Sequence, residues 1–188
     1  MKNLSLLALF VLCSSLSIAR DQAAVASNPE LERLYSEDQS DRTSGPVDWS
    51  VVSKRDLARH DRVIQLYRSG VLKVGKDYFH AAMILQHGDK PEDFLLCHEL
   101  CVTAVFGHAD ESGEWLNGAK WLAAASEDRF LQSIGRKQRF GTQFRTINPD
   151  PTWHLSEIED GVTDESRKIW NVPSLAEAKK REAEMNRK

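Results

Sequence analysis

The densest run of side chains able to do chemistry is Gln138-Arg139-Phe140-Gly141-Thr142-Gln143, two amides and a hydroxyl around one glycine. A side-chain amide both donates and accepts, so such a segment could hold a peptide or a sugar by paired hydrogen bonds. Gly141 adds a position free to take a left-handed backbone conformation. The plainer expectation is that Gln138 and Gln143 satisfy backbone groups at neighbouring helix ends. Asp128 is the second candidate. On a helix its neighbours at three, four and seven positions are Trp121, Ala124, Ala125 and Leu131, which turns its carboxylate inward. A buried carboxylate needs a partner. Arg129 is adjacent but points about 100° away around the helix. The N–H groups of the Gly141-Thr142 turn are an equally good partner, and would make Asp128 a clamp on that turn.

The histidines form a third group. His80 and His87 are seven residues apart, so they project in nearly the same direction, about 10 Å apart along a helix. His98 shares a face with Phe94, Cys101, Val102 and Val105. Single-metal pairs on a helix sit three or four apart. Neither His80/His87 nor Cys97-His98-Cys101 matches a zinc pattern, and a metal site would require packing to bring His87 and His98 together. No metal or cofactor is therefore expected, and each histidine reads first as a satisfied core residue. Cys97 and Cys101 on one helix would have β-carbons about 6 Å apart, against about 3.8 Å in a disulfide, so two buried thiols are expected. Nucleophile-elbow, Walker, dinucleotide and EF-hand signatures are absent from the sequence.

The elements that must position these residues are helices. Asn28 and Pro29 mark the cap and first position of a short helix over about 29–37, followed by a Gly45-Pro46 loop over 40–48. A charged helix over 50–69 stops at Gly70. The stretch 77–87 is apolar almost all round, the mark of a central helix. Further helices are expected over 91–106, closed by Gly107, and over 114–134, closed by Gly135. Short glycine-containing turns between the last three imply antiparallel neighbours. The expected fold is all-α: helical hairpins in tetratricopeptide-like layers, without a true repeat, and with an irregular segment near 138–160. Ser174-Leu175-Ala176-Glu177 is a capping box opening a peripheral last helix over about 174–187.

Bulk properties narrow the function classes. The chain has 188 residues, 41% hydrophobic and 28% charged, with net charge −3, enough for one domain with a sizeable core. Basic and acidic residues are interleaved, so nothing resembles a nucleic-acid footprint. Lys2, the apolar run Leu4–Leu16 broken only by serines, and Ser17-Ile18-Ala19 have the form of a secretory signal peptide cleaved near Ala19. No later segment approaches the roughly 18 apolar residues of a membrane span. The expectation is an exported chain, periplasmic or extracellular: signal peptide over 1–19, a flexible lead with a short helix over 20–48, and a single helical domain over 49–188.

Asp77-Tyr78-Phe79-His80-Ala81-Ala82, Gln86-His87, Asp128-Arg129 and Gln138-x-Phe140-Gly141-Thr142-Gln143, in this order, resemble a bacterial domain-of-unknown-function family. Its hallmark is an Asp-Arg pair followed by Gln-x-Tyr-Gly-Thr-Gln. The stretch 164–176, with Arg167 and Val172-Pro173-Ser174-Leu175, is similar to the family's closing helix, and the likeness spans about 31–184. It implies a compact helical domain and a shared polar cluster of His87, Asp128, Arg129, Gln138, Thr142 and Gln143. Phe140 departs from the family's tyrosine, so no hydroxyl there can be essential.

Two functions follow. The first is a binding or interaction module of the cell envelope, with a peptide, glycan or envelope protein as partner. The second is an envelope hydrolase in which His87 is general base, Asp128 orients it, and Arg129 or the Gly141-Thr142 amides stabilise negative charge, with Gln143 in the same centre. They differ in one geometric respect. The enzyme needs His87, Asp128 and Gln143 together in an open cleft, whereas a binding module permits them to be sealed while another groove is exposed.

Overall fold

The computed structural model describes residues 25–108, 111–147 and 149–187. The expected signal peptide over 1–19, and residues 20–24 of the lead, lie outside these. The elements in chain order are α1 (Pro29–Thr43), α2 (Trp49–Arg68), α3 (Gly75–Leu85), α4 (Pro91–Phe106), α5 (Trp115–Ser133), β1 (Phe144–Ile147), β2 (Asp150–Leu155), α6 (Asp164–Ile169) and α7 (Leu175–Met185). Capping chemistry sets most starts. Asn28 accepts from the Glu30 and Leu31 amides, Asp48 from Ser50, and Ser174 with Glu177 forms the reciprocal box opening α7.

α3 is the hub, packed against α1, α2, α4 and α5, as its apolar circumference requires. Phe79, Ala81, Ala82, Ile84 and Leu85 are buried in the main core. The α4 helix lies close along it, the Cys97 thiol donating to the Ala82 carbonyl at 3.2 Å. On its other side α4 meets α5, where His98 Nδ1 lies 2.8 Å from the Ala123 carbonyl oxygen. Gly118 of α5 permits the close approach of that helix to α3. A β-carbon there would sit 2.9 Å from Phe79 Cζ. Cys97 and Cys101 are free and buried.

The molecule is mostly helical, with two departures from the expected layout. The first helix does not end near residue 37 but runs to Thr43, and it is packed: Leu31 and Leu34 belong to the main core and Asp38 is buried. Polar residues hide this length, because its interior contacts beyond Tyr35 are ionic. The second departure falls in the irregular segment, which contains a two-stranded antiparallel sheet, so the fold is not strictly all-α. Phe144 pairs with Leu155, Arg145 with His154 and Thr146 with Trp153, with a register shift between Thr146 and Ile147. Aromatic and β-branched residues favour this pleat. α7 fastens to it: Asn186 Oδ1 accepts the Trp153 N–H, Asn186 Nδ2 donates to the Trp153 carbonyl, and Glu182 accepts the Leu155 N–H. Among the described residues no helix is long and apolar enough to cross a membrane.

Candidate functional site

Asp128 is fully buried and lies under the segment that follows α5. Its Oδ1 accepts the backbone N–H groups of Arg139 (2.6 Å) and Phe140 (2.9 Å). Its Oδ2 accepts the Thr142 N–H (3.0 Å) and hydroxyl (2.7 Å). Four donors on one carboxylate occupy both of its oxygens and leave it little capacity to act on a substrate. Gly141, at φ +81°, supplies the left-handed residue that lets both arms of the turn face one side chain.

Gln138 is sealed as well, at 0% exposure. Its Oε1 accepts the Gln143 N–H, and its Nε2 donates to the carbonyls of Gln143 and Ser156. A side chain here substitutes for a strand partner, closing the turn onto the foot of the sheet. Arg167 completes the enclosure. Its guanidinium is buried, donating to the carbonyls of Phe140 (3.0 Å) and Val162 (2.9 Å) and reaching Asp164 at 3.1 Å. Arg139, at the edge of this turn, pairs with Glu127.

Arg129 leaves α5 in another direction, as its angular offset requires. Its Nε donates to Gln143 Oε1 at 3.2 Å and its Nη1 to the Gln86 carbonyl at 2.8 Å. Three residues far apart in the chain, Gln86, Arg129 and Gln143, therefore do meet. Burial holds the Arg129 guanidinium below its usual pKa. Gln143 also donates to Thr142 Oγ1 at 2.9 Å.

The histidines are placed elsewhere. His87 does not meet Asp128. Its Nε2 faces Asp38 Oδ2 at 3.5 Å, on the α1 side of α3. Asp128 instead faces 139–142, so the expected His87/Asp128/Gln143 centre is not assembled. The reason is the end of α3: His87 follows its last turn and is directed toward α1 and α2, whereas Gln86 is directed toward α5. His80 is buried and unconnected to the cluster, stacked on Tyr35 with ring centroids 4.0 Å apart and planes within 4°. Burial lowers its pKa to about 4. His98, with Nδ1 at the Ala123 carbonyl, does not join His87. Among the described residues no three His, Cys, Asp or Glu side chains are grouped to hold a metal ion.

Two buried carboxylates escaped the sequence reading. Asp77 accepts from the Ser27 hydroxyl and the Asn28, Lys73 and Val74 amides, lashing the chain before α1 to the start of α3. Its position in the first turn of α3 was the available signal. Asp38 binds Arg42 at 2.9 Å; Arg42 and Arg59 both bind Asp56, and Arg59 also binds Asp41. The helical spacings Asp38-Arg42 and Asp56-Arg59 are its local signal in the sequence, whereas the pairs between α1 and α2 depend on how the two helices pack.

One apolar groove lies apart from all of this, formed by the end of α4, the start of α5 and α6. Val105, Phe106, Leu116, Ile169 and Trp170 line a cavity of about 300 Å³, with Lys120 as its charged member. Phe106 and Ile169 are 62% and 65% exposed. The Phe106 ring meets Trp170 edge-on, centroids 5.8 Å apart at 82°. Phe106 is the last residue of α4 and stays exposed although its neighbours Ala104 and Val105 are in the core, so helical periodicity gives it no role. Comparison of the chain with family models, curated proteins and solved structures gave no match.

Proposed function

We propose that this chain is a binding module of the cell envelope whose docking surface is the groove of Phe106, Leu116, Ile169 and Trp170. Its occupant is a peptide segment with apolar side chains and a carboxylate placed to meet Lys120. The observation that carries this reading is the exposure of Phe106 and Ile169 around a half-buried tryptophan, while Asp128 and Gln138 are sealed. Large apolar side chains left in water beside a concave surface mark interaction sites, and aromatic residues dominate binding energy at such centres. Lys120 gives the groove a preference of sign. The location in the envelope rests on the leader-like residues 2–19. Helical hairpins stacked as tetratricopeptide-like layers suit the role, since each layer adds rigid surface to a groove.

The reading is tested on a peptide array in which apolar hexamers carry flanking Asp, Gln or Lys. Wild-type protein should select apolar sequences with Asp, with micromolar Kd. Ile169→Asp and Phe106→Asp should weaken binding at least tenfold, and Lys120→Glu should move the preference from Asp to Lys. Equal binding of all three peptide sets, or wild-type binding by Ile169→Asp, removes the proposal.

A further inference from the structure

The polar centre contains one cation whose charge is not matched. A guanidinium has five N–H donors. In Arg129 the bonds from Nε and Nη1 go to Gln143 Oε1 (3.2 Å), the Gln86 carbonyl (2.8 Å) and Gln86 Oε1 (3.4 Å). Every one of these acceptors is neutral. The other shielded arginines are treated differently: Arg42 reaches Asp38 and Asp56, Arg59 reaches Asp41 and Asp56, and Arg167 reaches Asp164, all within 3.1 Å. Among the described residues no carboxylate lies within ion-pair distance of Arg129, and its Nη2 donates to none of them. Asp128, its neighbour in sequence, is committed to the 139–142 turn.

The α3 terminus compensates only in part. Gln86 is the C-cap of α3, and a helix C-terminus presents roughly half a negative charge. A cation drawn out of water with the remainder unbalanced is costly, and the depressed Arg129 pKa reflects that burial. A second donor is held beside it: Gln86 Nε2 has only the Met83 thioether, a weak acceptor, at 3.4 Å.

We propose that Arg129, flanked by Gln86 and Gln143, is a binding site for a small oxyanion group, a carboxylate or a phosphate, received by the Arg129 Nη2 donors and the Gln86 amide. Gln143 orients the fork by holding Nε. This site is separate from the apolar groove: Arg129 lies about 13 Å along α5 from Lys120, so each can fail without the other.

The test uses the full mature chain and two probes, sodium acetate and inorganic phosphate, against sodium chloride at equal ionic strength and pH. Wild-type protein should show a saturable Tm rise of about 3–5 °C in one of the oxyanions at tenfold excess over its Kd. Acetate or phosphate as the effective probe identifies the group. Arg129→Gln should abolish the rise, and Arg129→Lys, which keeps the charge without the fork, should reduce it several-fold. If Arg129→Gln does not fold, the wild-type Arg129 Nε–H NMR resonance still reports, and should move on titration with the effective probe. A wild-type Tm identical in all three salts with an unmoved resonance overturns the site, as does an unchanged rise in Arg129→Gln. A purely structural Arg129 would lower the Tm of the variants equally in every salt.

Discussion

Asp128 and Arg167 grip the same short turn from opposite sides. The carboxylate takes the Phe140 N–H at 2.9 Å, and the guanidinium donates to the Phe140 carbonyl at 3.0 Å. Both side chains are buried. A turn carrying a glycine at positive φ is thus held by one carboxylate and one guanidinium, each bonded mainly to backbone groups. Such an arrangement makes the turn rigid and leaves neither Asp128 nor Arg167 open to solvent.

Replacing Asp128 tests this. Asp128→Ala strands buried N–H groups of residues 139, 140 and 142, and is expected to cost about 3–5 kcal/mol. For a chain of this size that is a fall in Tm of about 10 °C, read by circular dichroism. Asp128→Asn, which retains one acceptor oxygen, should lose roughly half as much. A Tm within 2 °C of wild type for both would mean the turn is not clamped by this residue.

Gly141→Ala probes the turn itself. The alanine would have to adopt φ near +81° and place its β-carbon 3.0 Å from Ile158 Cδ1. The expected loss is about 1–2 kcal/mol. Gly135, also at positive φ (+77°) but with open space around it, should lose only about 1 kcal/mol on mutation to alanine. Equilibrium urea unfolding of the two variants should preserve that order.

His80 confers a specific acid sensitivity. Burial lowers its pKa from 6.5 to about 4, so the unfolded chain takes up a proton at higher pH than the folded one. Its contribution to stability is complete above pH 6.5 and is lost as pH falls toward 4, with a slope of at most about 1.4 kcal/mol per pH unit. His80→Phe keeps a ring against Tyr35 and removes the titration. The variant should lose less stability than wild type between pH 6.5 and 4.5 in urea melts; identical losses would show that His80 is not protonated selectively in the unfolded state.

The thiols should be silent. Cys97 and Cys101 are both buried, and burial, reinforced by Cys97, raises the Cys101 thiol well above its ordinary range. A thiol-specific reagent should label the native protein at least a hundredfold more slowly than the urea-unfolded protein. Rapid labelling of two thiols without denaturant would contradict this packing.

Groove substitutions should separate binding from folding. Ile169 is 65% exposed, so Ile169→Asp should leave unfolding free energy within about 0.5 kcal/mol of wild type, while removing peptide binding. A loss of several kcal/mol would assign Ile169 to the core.

Much of the layout is legible along the chain because its causes are local. The caps at Asn28 and Ser174, the stop at Gly107 and the all-round apolarity of α3 involve residues within a few positions of one another. Asp128 turns inward for the same reason: its direction follows from the helical period and the apolar residues on its stripe. The length of α1 is obscured because its last buried contacts are ion pairs within the helix and to α2, which hydrophobic periodicity does not register.

Partnership is a different matter. Gln86 and His87 are adjacent, yet one meets Arg129 of α5 and the other faces Asp38 of α1. Which neighbour each finds depends on how three helices cross, and no spacing in the chain encodes that crossing. The open Phe106–Trp170 contact has the same origin, since it joins residues of α4 and the end of α6. Local chemistry thus settled helix ends, inward faces and the left-handed turn at Gly141. Long-range packing chose the partners, because a side chain's surroundings are built by segments remote in sequence whose approach is governed by the sum of many weak contacts.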